Sequence, residues 1–421
     1  MISFEVPKCR VTDCFVLVSN SMFTSDFSAN PAVEKPSRTA ICFFSSVASF
    51  DTGMPICTDA LIRHFAHNPA YEVFVILPEN GEFAHRLSDV SIPVTIIPFA
   101  RARSLRRGLA FFRFFFELPA ALVCVYLFMR RRRFAIVHFS DIIDTPFYPC
   151  AKFAGAKVVA HVRRTVETMI GRILFRVWTG LWANAVVCIS EYVQRYSGLP
   201  SSHARVIHDP GPDLRLFDAA KEYPCPTFVD PNRQTVVTIA KFLRAKGHEH
   251  FIRMAALCEK AAPGKMQFII VGDMLPGHQA YYNAMIELIA ALGLNAHVTI
   301  AGQMLHEDIP AVLAHAAVLA HLPNYQEGLG AVILEAMAMN VPIVAFDSGG
   351  VGECFRDGEH GFLVKQYDTT GAASKVLLLC SDEKLRTRQG EAAARHCAAT
   401  FSRDKHFAEI AEMYDSVLAG G

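Results

Sequence analysis

Short apolar runs, many of them β-branched, recur along this chain, and each is followed by a stretch with apolar residues at helical spacing. "TAICFFSS" from Thr39, "YEVFVILP" from Tyr71, "VTIIPF" from Val94, "FAIVHFSD" from Phe134, "KVVAHVRR" from Lys157 and "AVVCISE" from Ala185 predict strands. A second series begins with "QTVVTIA" at Gln234 and continues through "MQFIIVGD" (Met266), "HVTIAG" (His297), "AAVLAHLP" (Ala316) and "VPIVAFD" (Val341). Helices are predicted after Asp51, over Gly247–Ala262, His278–Leu292 and Asp308–His315, and from Asp382 onward. Strands that are apolar throughout, rather than alternating, are buried on both faces. With helices between them they predict parallel sheets. The segment Arg205–Asp218 is rich in Pro, Gly and Asp and reads as a domain boundary.

The chain therefore divides into an irregular leader (1–37), a first α/β domain (38–217), a second (218–398) and a C-terminal helical segment (399–421) that packs back on the first domain. Both domains are expected to be doubly wound and Rossmann-like. Ligands of such sheets bind outside the carboxyl ends of the strands, which here means the cleft between the domains.

Charge changes this picture little. Lys and Arg number 41 against 40 Asp and Glu, so no net field favours nucleic acid. The 12 cysteines show no CxxC and no zinc spacing, which suits a reducing, cytoplasmic setting. The first residues carry charges where a signal peptide needs an apolar core. One stretch stands apart. Arginines at 101, 103, 106, 107 and 130–133 flank the most hydrophobic part of the chain. A buried helix, a helix in the membrane interface and a span are all open here. Arg113, Glu117 and Pro119 interrupt it, and the interfacial reading is favoured. Residues 101–133 would then hold the protein peripherally on the cytoplasmic leaflet of the membrane.

The chemistry concentrates in "NYQEGLGAVILEAMAMNVPIVAFDSGG", Asn324–Gly350. Glu327 precedes a Gly-x-Gly loop, and Glu335 lies inside the helix that follows. The first amides of that helix have no internal partner. With the helix dipole, the amides of Gly328, Leu329 and Gly330 favour an anion such as a phosphate. The carboxylates suit hydroxyls instead. A ligand with both phosphates and hydroxyls is a sugar nucleotide. Lys241 and Lys246 flank a strand-to-helix loop and would clamp a diphosphate.

These residues resemble glycosyltransferase family 4, retaining enzymes of the GT-B fold. The likeness rests on E-x7-E at Glu327 and Glu335, then Pro342, Gly349, Gly350 and Glu353, then Asp357, Gly358, Gly361 and Leu363. It extends to "TIAKFLRAKGHEHFI" with Lys241 and Lys246, to the strand ending in Gly272 and Asp273, and to the one ending in Gly302. It is weaker in the first domain, where it touches His161, Ser190, Asp213 and a loop with Gly53. The resemblance implies Glu327, His161, Lys241 and Lys246 as the catalytic group. Gly53, Gly272, Asp273, Gly302, Gly328, Leu329, Gly330 and Glu335 would complete the donor site. It further implies a nucleoside-diphosphate sugar as donor, no metal or other cofactor, and a saccharide or polyprenyl-linked acceptor. Exopolysaccharide- or lipopolysaccharide-type glycan assembly in a bacterium is the expected setting.

Three departures bear on the site. Lys241 stands where Arg is common and lacks its bidentate fork. Asn340 replaces a Gly but tolerates a left-handed turn. Pro212 stiffens the loop at the domain boundary. Three rival readings stay open: an NAD-dependent oxidoreductase, a non-catalytic membrane-associated partner protein of the same fold, and a sugar-nucleotide epimerase. No DxD or HExxH occurs. His248 and His250 alone do not make a metal site.

Overall fold

The computed structural model describes residues 38–50, 53–99, 108–166, 168–200 and 202–420, with backbone alone over 108–116. The 1–37 leader and residues 101–107 lie outside the described residues.

The first sheet comprises β1 (Thr39–Phe44), β2 (Tyr71–Leu77), β3 (Val94–Ile96), β4 (Ile136–Phe139), β5 (Lys157–Val162), β6 (Ala185–Cys188) and β7 (Ala204–Val206). Their order is β3-β2-β1-β4-β5-β6-β7 and every pairing is parallel. The second comprises β8 (Gln234–Ile239), β9 (Met266–Val271), β10 (Val298–Gly302), β11 (Val318–His321), β12 (Ile343–Asp347) and β13 (Gly361–Lys365). Its order is β10-β9-β8-β11-β12-β13, again all parallel. Both are the doubly wound sheets that the apolar runs predict. β7 and β13 are additions. β7 has three residues and overlaps the expected exit loop. β13 opens on Gly361 and carries little apolar run of its own.

Strand order reverses between β1 and β4 and again between β8 and β11. Connections leave in opposite directions at such points and open a crevice at the strands' carboxyl ends. The loops carrying Lys241 and Glu327 follow β8 and β11, so the second crevice holds both.

Helices cover both faces of each sheet. In the first domain these are α1 (Gly53–His67), α2 (Glu82–Ser88), α3 (Gly108–Arg132), α4 (Tyr148–Phe153), α5 (Met169–Trp182) and α6 (Glu191–Ser197). In the second they are α7 (His248–Ala261), α8 (Gln279–Ala291), α9 (Ile309–Ala314), α10 (Ala331–Ala338), α11 (Val351–Cys354), α12 (Thr369–Ser381) and α13 (Glu383–Thr400). The last helix, α14 (Arg403–Ala419), leaves the second domain. It buries Phe407, Ile410, Met413 and Tyr414 against Leu61, Ile62 and Phe65 of α1. A separate apolar cluster runs across the domain junction, joining Val162, Ile189 and Val193 to Ile333, Leu334 and Cys354.

The described side chains of the arginine-flanked stretch pack one face of a helix on the first domain. In α3, Ala121, Val125 and Met129 are buried in the core, while Arg130–Arg133 stay exposed. Among the described residues no helix is long and apolar enough to cross a membrane.

Candidate active site

Glu327 lies in the loop between β11 and α10 and is almost wholly buried. The loop is held by a parallel bridge from Glu327 to Gly349, and the Gly350 amide donates to the Glu327 carbonyl at 2.8 Å. Lys246 comes from the loop after β8. Its Nζ lies 3.2 and 3.3 Å from the two carboxylate oxygens of Glu327 and donates to the Tyr325 hydroxyl at 2.8 Å. His321 Nε2 lies 3.5 Å from the same carboxylate. Burial alone would raise the Glu327 pKa. Lys246, His321 and Tyr325 together outweigh that, Lys246 first among them, and the carboxyl is held down at about 2. The Tyr325 phenol is pushed up by its own burial and by the neighbouring carboxylate, so it stays a donor. An ionised carboxylate and an oriented ammonium thus sit side by side at the switch point.

Helix α10 starts at Ala331 with Gly330 as its N-cap, and no side chain caps it. The amides at its start, beside Gly328 and Leu329, are the expected anion-facing donors. Gly53, the first residue of α1, approaches from the other domain. A Cβ built on it would lie 3.2 Å from the Cβ of Ala331, so two helix N-termini converge here. Gly328 is squeezed between the domains. A Cβ there would come within 2.4 Å of the Arg163 carbonyl oxygen. Gly272 packs equally tightly at the ends of β8 and β9. Its amide donates to the Gly302 carbonyl at 2.9 Å, and a Cβ would meet the Ala240 carbonyl. The Asp273 carbonyl accepts from Phe242, next to Lys241, at 2.9 Å. Lys241, half-buried, shares this strand-end shelf.

Glu335 lies about one turn into α10, with His306 Nε2 at 3.0 Å from its carboxylate. Contacts thus join Lys246 to Glu327, Gly53 to the start of α10, and Gly272 to Gly302 on the shelf beside Lys241.

His161 is placed differently from the expectation of a cleft-facing residue. The alternation of β5 turns its side chain toward the α1 and α14 layer, and it has no exposed surface. His138 hydrogen-bonds its Nδ1 at 3.2 Å, and Tyr414 of α14 in turn holds His138 at 2.7 Å. Burial, reinforced by Arg163, drives the pKa of His161 well down, so the ring is neutral. Its Nε2 is 3.5 Å from Asp209, too far for a good hydrogen bond, and it has no partner. Asp209 is instead taken bidentately by Arg163 at 3.0 and 3.1 Å. Arg164 pairs with the buried Asp141. His161 is thus buried, with one ring nitrogen held by His138 and the other without a hydrogen-bond partner among the described residues.

Glu353 of the Gly-Gly-x-x-Glu motif crosses the junction. Its carboxylate accepts from the Glu191 and Tyr192 amides, both at 2.7 Å, and so caps α6 of the other domain. His248 and His250 face different partners. His248 accompanies the Ala240 carbonyl at 3.1 Å and His250 the Asn324 amide oxygen at 2.6 Å. Among the described residues no group of three or more His, Cys, Asp or Glu could hold a metal ion. Asn340 takes φ 58°, the left-handed turn expected of it.

Residues 222–396 match the model of the family described as "Glycosyl transferases group 1". Among solved structures, the chain superposes on Anabaena Alr3699/HepE in complex with UDP and glucose with a TM-score of 0.75. The identity is 21%, and 90% of this chain and 100% of that one are covered. A glycosyltransferase from Rickettsia africae gives 0.77 at 18% identity, over 91% and 100%. The fold is GT-B. Among curated proteins, the alpha-D-kanosaminyltransferase of Streptomyces kanamyceticus is 36% identical over 187 residues, 44% of this chain and 46% of that protein. The D-inositol 3-phosphate glycosyltransferase of Nocardia farcinica is 33% identical over 190 residues, 45% and 42%. The chain thus spans about half the length of the curated relatives it matches.

No pattern along the chain marks His306, His321, Tyr325 or Asp209 as partners of the site. Single His and Tyr residues carry no spacing that marks them. Glu353 was visible only as part of a motif, without its capping role.

Proposed function

We propose that this chain is a retaining glycosyltransferase of family 4. It would move a hexose from a nucleoside-diphosphate sugar to a hydroxyl of a saccharide or lipid-linked acceptor. The observation that carries this reading is the Lys246–Glu327–Tyr325 cluster beside the uncapped start of α10. Lys241, Lys246 and the amides at Gly328–Gly330 neutralise the departing diphosphate, so no metal is called on. Charge grows on that group in the transition state, which is where fixed donors accelerate most. Glu327, ionised and oriented, accepts from donor-sugar hydroxyls near the reacting carbon. Glu335, with His306, accepts from the ribose. His161 and the Arg163–Asp209 pair brace the wall that faces the sugar.

Retention follows from front-face attack, the leaving phosphate taking the acceptor proton. Solved relatives of this fold hold UDP and UDP-glucose, which makes a uridine donor the first to try. A polyprenyl-linked acceptor, bacterial surface-glycan assembly and a peripheral place on the cytoplasmic face of the membrane complete the reading.

The test is a thermal-shift panel of UDP, GDP, dTDP, ADP, NAD and the sugar forms, on wild type and Lys246→Ala. A ligand that binds the native state raises Tm. A shift with one nucleotide sugar, lost in the variant, is expected. NMR of the product anomer then reads retention. A shift with NAD alone would make the oxidoreductase the better account. No shift at all would favour a non-catalytic partner protein, and sugar turnover without acceptor an epimerase.

A further inference from the structure

Helix α5 presents an apolar face that nothing among the described residues covers. Met169, Ile170, Ile173, Leu174, Val177 and Leu181 are each at least 55% exposed. At 3.6 residues per turn these six lie within an arc of about 140°. Phe175 and Thr179, buried on the sheet, project from the opposite side. The helix therefore has two apolar faces, and only one is used by the fold. Monomeric proteins seldom leave so continuous an apolar strip in water.

The surroundings say what chemistry fits it. Helix α5 contains no acidic residue. Arg172 and Arg176 border one edge of the strip, Arg172 lying over the Tyr196 ring at 5.6 Å. At the far end Trp182 meets the Phe153 ring at 5.3 Å, and Phe153 is itself two-thirds exposed. The next residues, Ala154 and Gly155, line a shallow depression with Arg130, Arg131 and Arg133. Aliphatic side chains, aromatic rings and arginines thus follow one another along one surface. That is the sequence of environments from hydrocarbon through the interface to anionic headgroups. A second copy of the chain is a poorer match, because a two-fold contact would bring the same arginines to the same patch.

We propose that the outer face of α5, with Phe153 and the arginines at 130, 131 and 133, seats the first domain on an anionic lipid surface. The proposal rests on the membrane half of the functional reading and moves its centre from residues 101–133 to α5. The helix lies in the plane of the interface, its apolar strip below the headgroups and its arginines among them.

The chain has only two tryptophans, and both, Trp178 and Trp182, are in α5. Tryptophan emission therefore reports this helix alone. The experiment uses the full chain, phosphatidylcholine vesicles with and without phosphatidylglycerol, and the variant Leu174→Glu/Leu181→Glu. Both leucines are exposed, so folding is spared. Wild type should sediment with the phosphatidylglycerol vesicles and shift its emission to the blue. Added salt should weaken binding, and the variant should bind at least tenfold less. Arg130→Glu/Arg131→Glu should abolish the preference for anionic lipid. Wild type that ignores the vesicles at low salt, or a variant that binds as well, would overturn the proposal. So would a wild-type dimer that the leucine variant converts to monomer. The thermal-shift panel, measured alongside, separates the two readings: vesicle binding without a shift by any nucleotide of the panel leaves this proposal standing and sinks the donor reading.

Discussion

Removing the ammonium of Lys246 should destabilise the second domain through Glu327 rather than through lost packing. The carboxylate is about one-tenth exposed and lies 3.2 and 3.3 Å from Nζ. Its pKa falls from an ordinary 4.5 to about 2 in the fold. At ~1.4 kcal/mol per pH unit that difference is worth about 3 kcal/mol in total. His321 and Tyr325 supply part of it, and Lys246 is itself one-quarter exposed, so Lys246→Met should cost ~2 kcal/mol. For a domain of this size that is roughly 4–8 °C in Tm. Glu327→Gln should cost less, because the ammonium can turn to water. The double variant Lys246→Met/Glu327→Gln should be more stable than the sum of the singles by ~1–3 kcal/mol, since no charge is then left buried. The pH dependence follows from the same numbers. The stabilisation is full above about 4.5 and is lost as pH falls toward about 2. The Lys246→Met penalty should therefore be largest at neutral pH and shrink on acidification. Chemical denaturation of the four proteins at several pH values measures this. Strictly additive penalties, or one that is constant with pH, would refute the reasoning.

Two further substitutions probe the junction. Gly328→Ala places a methyl 2.4 Å from the Arg163 carbonyl, a backbone atom that cannot swing away. It should open the cleft and lower donor turnover at least tenfold at nearly unchanged Tm, and small-angle scattering should report the wider domain separation. Unchanged turnover would mean the loop accommodates the methyl by sliding. Glu353→Ala removes two 2.7 Å bonds to the start of α6. It should cost ~1 kcal/mol by thermal denaturation, with Glu353→Gln recovering part of that through its remaining oxygen. Equal losses for the two would point to bulk rather than capping.

Much of the architecture could be read from local pattern, because parallel strands buried on both faces must be apolar throughout. Gln234, Met266, His297, Ala316 and Val341 marked the second sheet to within two residues at each strand start. The edge strands β7 and β13 carry little signal because an edge needs less apolar run. The carboxylates and lysines were legible since glutamate beside Gly-x-Gly and a lysine pair around a turn have few structural uses. What surrounds them was not. His321 ends β11 and Tyr325 shares a loop with Glu327, but His306 comes to Glu335 from the loop after β10, and Asp209 reaches Arg163 across 46 positions. Nothing in linear order announces such meetings. The surroundings of His161 were hidden too, because strand position fixes the side a residue faces only once the neighbouring layers are known, and α14 supplies that layer. The exposed strip of α5 is hidden in the sequence for a different reason. Its residues have the spacing of any buried amphipathic helix, and the pattern does not say which face the sheet takes.

Helix α14 has a consequence for how the protein is made. Tyr414 and Ile410 are wholly buried in the core of the first domain, yet they are translated after all of the second sheet. A ribosome that has finished β7 has produced every strand of the first sheet, but the α1 face still lacks its cover. The second domain, by contrast, is contiguous from β8 through α13 and can close as it emerges. The domain that starts first therefore finishes last. Until α14 docks, Leu61, Ile62 and Phe65 face either water or whatever chaperone meets the nascent chain.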